Sequence, residues 1–275
     1  MATLAPARQS IVRGSHRFYL ISALIMAAIN VVAFAFANAM GRSSFGAPLI
    51  VHAHALVFFG WVTIYVAQNV LASNGQLHLH RRLGWIAAGW MVAMVLLGTV
   101  VTVRLVRAGH APFFFQPGYF LIMNPVGVLT FAGLSTWAIV LRRRTEWHKR
   151  LHLCGMAMLM GPSLGRLLPV PFLIPYVGPS LFAVMLLFPL AGVVADLRRT
   201  GRVHAAWAWG IAVMVTAQLL IQVVPSTPIG LAIYSAVTGG WPGAAVAPLA
   251  YPPFPSLTDC APFVGRQSTR CRHAL

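Results

Sequence analysis

The chain has 275 residues, of which 59% are hydrophobic and only 8% charged, with a formal net charge of +17. Ordinary soluble domains carry about 25% charged residues, so a composition this poor in charge excludes a water-soluble globule of this size. The basic excess does not point to nucleic acid: the twenty basic residues, nineteen of them arginine, fall mostly in short clusters between apolar stretches, where anionic lipid headgroups account for them.

Apolar stretches of about 20 residues recur, which is the length a bilayer core requires. They lie near 17–40, 48–72, 83–106, 119–141, 151–170, 176–195 and 205–224. The expected fold is all-α, a polytopic membrane helix bundle of about seven transmembrane helices. Residues 1–16 read as an arm, 17–224 as the bundle and 225–275 as a Pro/Gly-rich external tail. The first stretch has some features of a signal peptide, with Arg8, Arg13 and Arg17 before it and Ala37-Asn38-Ala39 behind. Its run from Phe18 to Phe36 exceeds the usual signal core of about 7–15 residues, so it reads as a retained helix.

The second stretch, "APLIVHAHALVFFGW", places His52 and His54 inside an apolar run. An ionisable group within a membrane is costly and marks a functional site by default. Two residues apart on a helix, the pair point roughly 200° away from each other, so one can face the bundle but not both. The third stretch opens with "HLHRRLGW", in which Arg81 and Arg82 read as headgroup anchors and His80 as a candidate ligand. It closes with Arg104. The fourth begins near Asn124 and runs into "EWHKRLHLCG", where His148 and His152 stand four apart and share one helix face. That spacing suits two imidazoles on one metal ion, or one on a haem and one on a propionate.

The fifth stretch is the least regular. Pro162, Pro169 and Pro171 interrupt it, and Gly161 and Gly165 give a small-xxx-small spacing that allows close helix contact. A kinked helix buried in the bundle is expected, with Arg166 near its end and Met156, Met158 and Met160 as core filler. Cys154 lies in this apolar helix. Cys260 and Cys271 lie in the tail, eleven apart, and can pair if that tail faces an oxidising compartment. The tail beyond Pro225 is expected to be extended and partly ordered against the bundle.

Threading seven helices puts thirteen Lys and Arg on one side against four on the other, tail excluded. The positive-inside rule then places the N-terminus in the cytoplasm. Polar residues separate into two layers. The outer layer holds His52, His54, Arg104, Asn124 and Arg166. The inner layer holds Gln68, Asn69, His78, His80, Arg81, Arg82, Glu146, His148, His152, Asp196 and His204.

"VHAHALVFFGWVTIYVAQ", "HLHRRLGW" and "EWHKRLHL", in this order, resemble an uncharacterised family of bacterial multi-pass inner-membrane proteins that carry an H-x-H helix followed by H-R-x-L-G and H-K-R-L motifs. The resemblance covers roughly residues 45 to 255. It implies a bacterial inner-membrane location and a multi-pass architecture, and no activity. "HAHALVFFGW" is more faintly similar to helices of haem-copper oxidase-type proteins, and the layout to membrane b-type cytochromes. The chain departs from the latter, lacking two histidines 13 or 14 apart on one helix and again on a second.

Three functional readings follow. In the first, the protein is redox-active and holds a b-type haem or a quinone. His52 or His54 with Arg104 and Arg166 would form an outer site, and His80 with His148 or His152 an inner one. In the second, the chain is a transporter, sensor or assembly factor whose histidines and arginines serve proton movement or folding. In the third, it is a metal-dependent membrane enzyme using the inner histidines, with His148 and His152 as ligands. The expected partners are an anionic bilayer and a quinone or other small ligand.

Overall fold

The computed structural model describes residues 6–41 and 46–253, with the side chains of the first helix described from Arg17 onward. The described residues form α-helices and short 3-10 turns, with no strand. The helices are α1 (Pro6–Ala39), α2 (Leu49–Ser73), α3 (Leu77–Arg107), α4 (Pro117–Val140), α5 (Thr145–Met158), α6 (Gly161–Leu167), α7 (Val177–Thr200), α8 (Ala205–Val223) and α9 (Pro228–Thr238). Six spans are long and apolar enough to cross a membrane: Arg17–Ala39, Leu49–Ser73, Leu77–Arg107, Pro117–Val140, Val177–Thr200 and Ala205–Ser226. The protein is a multi-pass membrane helix bundle.

The fifth expected crossing is split in two. α5 and α6 meet at Leu159 and Met160. Pro162 is the local cause, because it offers no N–H to the carbonyl four residues back. Neither piece alone spans a bilayer, yet together they run from one end of the bundle to the other. Their surroundings are protein: α5 packs on α4, α7 and α8, and α6 on α1 and α7. Leu151, Leu153, Cys154, Met156, Ala157 and Met160 are all buried. A buried polar knot sits beside the break. Ser163 Oγ donates to Asn30 Oδ1 at 2.6 Å, and Asn30 Nδ2 donates to Met26 O at 2.8 Å and to Met160 Sδ at 3.4 Å. Non-helical backbone at this depth is tolerated because protein, not lipid, encloses it.

α3 starts six residues earlier than its apolar stretch, at Leu77 rather than 83. "HLHRRLGW" is therefore the first two turns of a helix and not a loop before one. Gly75, at φ 72°, makes the tight turn that lets α3 fold straight back on α2.

The side-chain contacts fix which helix ends meet. The starts of α1, α3, α5 and α8 and the ends of α2, α4 and α7 gather at one end, which carries most of the arginines and is called the basic end below. Here the Lys149 ammonium lies 5.3 Å from the Tyr19 ring and the Arg199 guanidinium 5.6 Å from Phe18. At the far end, the chain after Pro225 is not extended throughout. It forms α9 and a 3-10 turn at Pro242–Ala245, folded over the end of α3 and the start of α4. Arg107 Nε donates to Val237 O at 2.9 Å and its guanidinium lies 5.3 Å from the Trp241 ring. Gly118 N donates to Pro248 O at 2.8 Å. Cys260, Cys271 and the rest of the chain beyond 253 lie outside the described residues.

Lipid tails are as apolar as leucine, so helices in a membrane hold together by close packing rather than by hydrophobic burial. Large rings over glycines supply that here. The Trp90 indole lies over Gly60 and its Nε1 donates to Val57 O at 2.7 Å. The Trp207 ring lies against Gly192, and Tyr119 against Gly178. A Cβ at Gly192 would fall inside the Trp207 ring, whereas one at Gly89 meets open space. Gly192→Ala should therefore destabilise by about 1–3 kcal/mol. In thermal unfolding of the detergent-solubilised protein this lowers the midpoint by several degrees, while Gly89→Ala leaves it unchanged or slightly higher.

Candidate functional site

α5 carries charge on one face and imidazole on another. At about 100° per residue, His148 and His152 point one way and Arg150 the other. Each face meets a different set of helices, and together they make the densest polar region of the bundle.

The Arg150 face is an ion-pair clamp. Arg150 Nη2 donates to Asp196 Oδ1 at 2.8 Å and to Oδ2 at 2.7 Å, and its Nε reaches Oδ2 at 3.0 Å. The remaining nitrogen bonds the Glu146 carboxylate and, at 2.8 Å, the Glu146 carbonyl. Trp207 Nε1 donates to Asp196 Oδ2 at 2.9 Å, and the Arg150 guanidinium lies 5.7 Å from the Trp207 ring. Glu146 also pairs with Lys149 at 2.6 Å. Arg150 is only 5% exposed and Asp196 8%. A charge so deeply placed is tolerated only when paired and hydrogen-bonded, and here every arm of the guanidinium is used. The clamp ties α5 to α7 and α8 and fixes the roll of α5 about its axis. His204 caps α8, its Nδ1 accepting from Ala206 N at 3.1 Å. Burial, and then the nearby Arg150 guanidinium, holds its imidazole below the usual histidine range, which preserves the unprotonated Nδ1 the cap needs.

The opposite face holds a row of imidazoles. His80, from the first turn of α3, lies with its ring centre 6.1 Å from that of His148, and His148 lies 4.7 Å from His152. His148 Nδ1 is 2.9 Å from Ala138 O and His80 Nδ1 is 3.3 Å from Gln68 O. A carbonyl can only accept, so Nδ1 carries the hydrogen in both bonds, and Nε2 is left as the atom that exchanges a proton. The row spans the ends of α2 and α4 and the starts of α3 and α5.

The structure thus brings His80, His148 and His152 together. The outer candidates do not form a comparable group. His54 stacks on Phe58 of its own helix, ring centres 4.2 Å apart. Arg166 lies 4.1 Å from the Phe34 ring and donates to Pro162 O at 2.8 Å. Arg104 is exposed on the last turn of α3, and Arg107 rather than Arg104 docks onto α9. His52 is partly buried on α2. Arg81 and Arg82 are exposed, as headgroup anchors should be.

Among the described residues no group of three or more His, Cys, Asp or Glu side chains is arranged to hold a metal ion. Support for haem or for an ion at His148 and His152 is confined to the imidazoles themselves. Reading the sequence misses Arg150 as the organiser of the site. The signal was there in outline: Asp196 ends an apolar helix in a chain with three acids, so it had to find a base. Compared with protein-family models, with curated proteins and with solved structures, the chain matches none of them.

Breaking one side of a buried ion pair costs about 3–5 kcal/mol, while replacing both partners by apolar groups is often neutral. Asp196→Asn should therefore lower the thermal midpoint of the purified protein sharply, and the double variant Arg150→Met with Asp196→Leu should recover most of the loss. Equal destabilisation in the single and double variants would count against a clamp that acts as a pair.

Proposed function

We propose that this protein handles protons within the membrane, and that His80, His148 and His152 are its proton-exchange element. The reading rests on one observation: three imidazoles in a row, with ring centres 6.1 Å and 4.7 Å apart and two of their Nδ1 atoms set against backbone carbonyls. With Nδ1 committed to a carbonyl, each of those two rings takes up and gives back its proton at Nε2 alone. The carbonyl keeps its hydrogen bond whether or not Nε2 carries a proton. A water between two such nitrogens carries the proton from ring to ring, the shuttle role for which imidazole, with one donor and one acceptor nitrogen, is suited.

The fixed clamp behind α5 supports the same reading. Proton transfer needs donor and acceptor held within hydrogen-bond reach, directly or through one water. Arg150, pinned to Asp196 and Glu146, prevents α5 from rolling and so keeps His148 and His152 facing α3 and α4. The arginine count supports a cytoplasmic basic end, where exposed Arg81, Arg82, Arg142, Arg143 and Arg144 would meet anionic headgroups. The activity is then movement of protons between that face and the bundle interior, in a transporter or sensor.

The test is proton flux into vesicles that contain the purified chain and a trapped pH-sensitive dye, driven by a potassium diffusion potential. The native protein should give flux above that of protein-free vesicles. His148→Phe and His152→Phe should each lower it by about tenfold or more while the protein stays folded. Flux no greater than in protein-free vesicles would end this reading.

A further inference from the structure

Four buried side-chain atoms have no hydrogen-bond partner among the described residues: His54 Nδ1, Trp61 Nε1, Gln68 Oε1 and Ser135 Oγ. Three of the four belong to α2, each seven residues from the next. Seven residues are close to two helical turns, so 54, 61 and 68 lie on one stripe of the helix. Tyr65, buried at 6% exposure, lies on the same stripe between Trp61 and Gln68. Packing faults would scatter over the bundle; these line up.

The stripe faces protein along its length. Phe58 packs on Gly98 of α3, Trp61 meets Phe131 of α4 edge-on at 4.9 Å, and the Gln68 amide lies beside Gly84 of α3. Ser135 is one turn beyond Phe131 on α4, and its hydroxyl lies over Gly155 of α5. Gly155 is three residues from His152, on the imidazole face. At the basic end the stripe reaches the row itself, since Gln68 O is the carbonyl that faces His80 Nδ1. Unpartnered atoms therefore recur along the stripe from His54 Nδ1, in the far half of α2 where the ring also meets the Leu97 backbone, to Gln68 beside the imidazoles.

We propose that this stripe binds a file of internal water, and that protons travel along it from the far end to His80, His148 and His152. Buried polar groups without a protein partner are where internal water finds a hydrogen bond, and in a file each water takes its other bonds from its neighbours. Steps of seven residues are about 10 Å along a helix, which two or three hydrogen-bonded waters span. Tyr65 shortens the inner step. Phe58, stacked on His54, is an apolar step in the outer part and acts as a plug. The water file stands on the unpartnered atoms alone; the proton route rests also on the proton-exchange reading of the imidazoles.

The water file is tested by nuclear magnetic resonance of indole 15N in the full chain in lipid nanodiscs, with the Trp61 signal identified by Trp61→Phe. Its Nε1 hydrogen should receive magnetisation from water. That of Trp90, which is bonded to Val57 O, is the internal comparison and should not. Thermal unfolding gives a second readout. If Gln68 Oε1 and Ser135 Oγ are dry, Gln68→Leu and Ser135→Ala remove a penalty and raise the midpoint; if they bind water, the midpoint stays or falls. A Trp61 indole as dry as that of Trp90, or a raised midpoint in both variants, overturns the water file. For the route, in the vesicle assay Gln68→Leu should lower flux several-fold and Phe58→Ala should raise it several-fold. Native flux that is abolished by His148→Phe yet indifferent to both changes overturns the route and leaves the imidazole reading standing. Native protein without flux ends that reading and the route with it, while the Trp61 signal still decides the water file.

Discussion

The bundle depends on one buried arginine. Of the two acids among the described residues, Asp196 and Glu146, both end on Arg150. A lone guanidinium inside a helix bundle would be ruinous, and so would a lone carboxylate. Joined, with Trp207 donating to the same carboxylate, they become a rigid joint among α5, α7 and α8. Lys149 and Tyr19 bring α1 to its edge. The pair is weak evidence for stability, since an apolar pair of similar volume could hold these helices as well. What it adds is a single orientation of α5.

That orientation is what makes the imidazole row possible. α5 is enclosed by other helices and interrupted at Leu159, so it lacks the long lipid-facing stripe that positions an ordinary spanning helix. Its roll has to be set by specific contacts. On the Arg150 side these are ionic. On the other side they are close-packed: Gly155 against Ser135, and His148 against the Ala138 carbonyl, within two turns of each other on both helices. A helix held on opposite faces by different kinds of contact can present two imidazoles to α3 without support from lipid.

Much of this was legible in the sequence, and the limits are physical. Apolar length alone marks the six spans, because backbone in lipid must satisfy its own hydrogen bonds over a fixed thickness. The split of the remaining crossing was announced by Pro162. The start of α3 was not, because "HLHRRL" is polar and helical at once, and a reading based on apolarity stops where the polar residues begin. His148 and His152 share a face by spacing, and threading the helices puts His80 at the same depth; that it stands beside them follows from the tight turn at Gly75 and the way α4 returns. Arg150 and Asp196 are 46 residues apart, and no local rule pairs them. The stripe on α2 was half visible. His54 draws notice because an imidazole in an apolar run is costly, whereas Trp61 and Gln68 at the same period look ordinary until their atoms are found unpartnered.

The bundle therefore uses interior polarity in two opposite ways. Around Arg150 every polar atom has a partner, and the result is a fixed joint. Along α2, His54 Nδ1, Trp61 Nε1 and Gln68 Oε1 have none among the described residues. In a dry interior a phenylalanine at 61 or a leucine at 68 would fit at lower cost. Stability gives no reason for indole and amide there. Their alignment on one stripe, ending at the carbonyl that faces His80, is what a path for small polar species requires and what packing alone does not. The satisfied cluster and the unsatisfied stripe meet at the same end of the bundle, so the rigid part holds the imidazoles still where the other delivers to them.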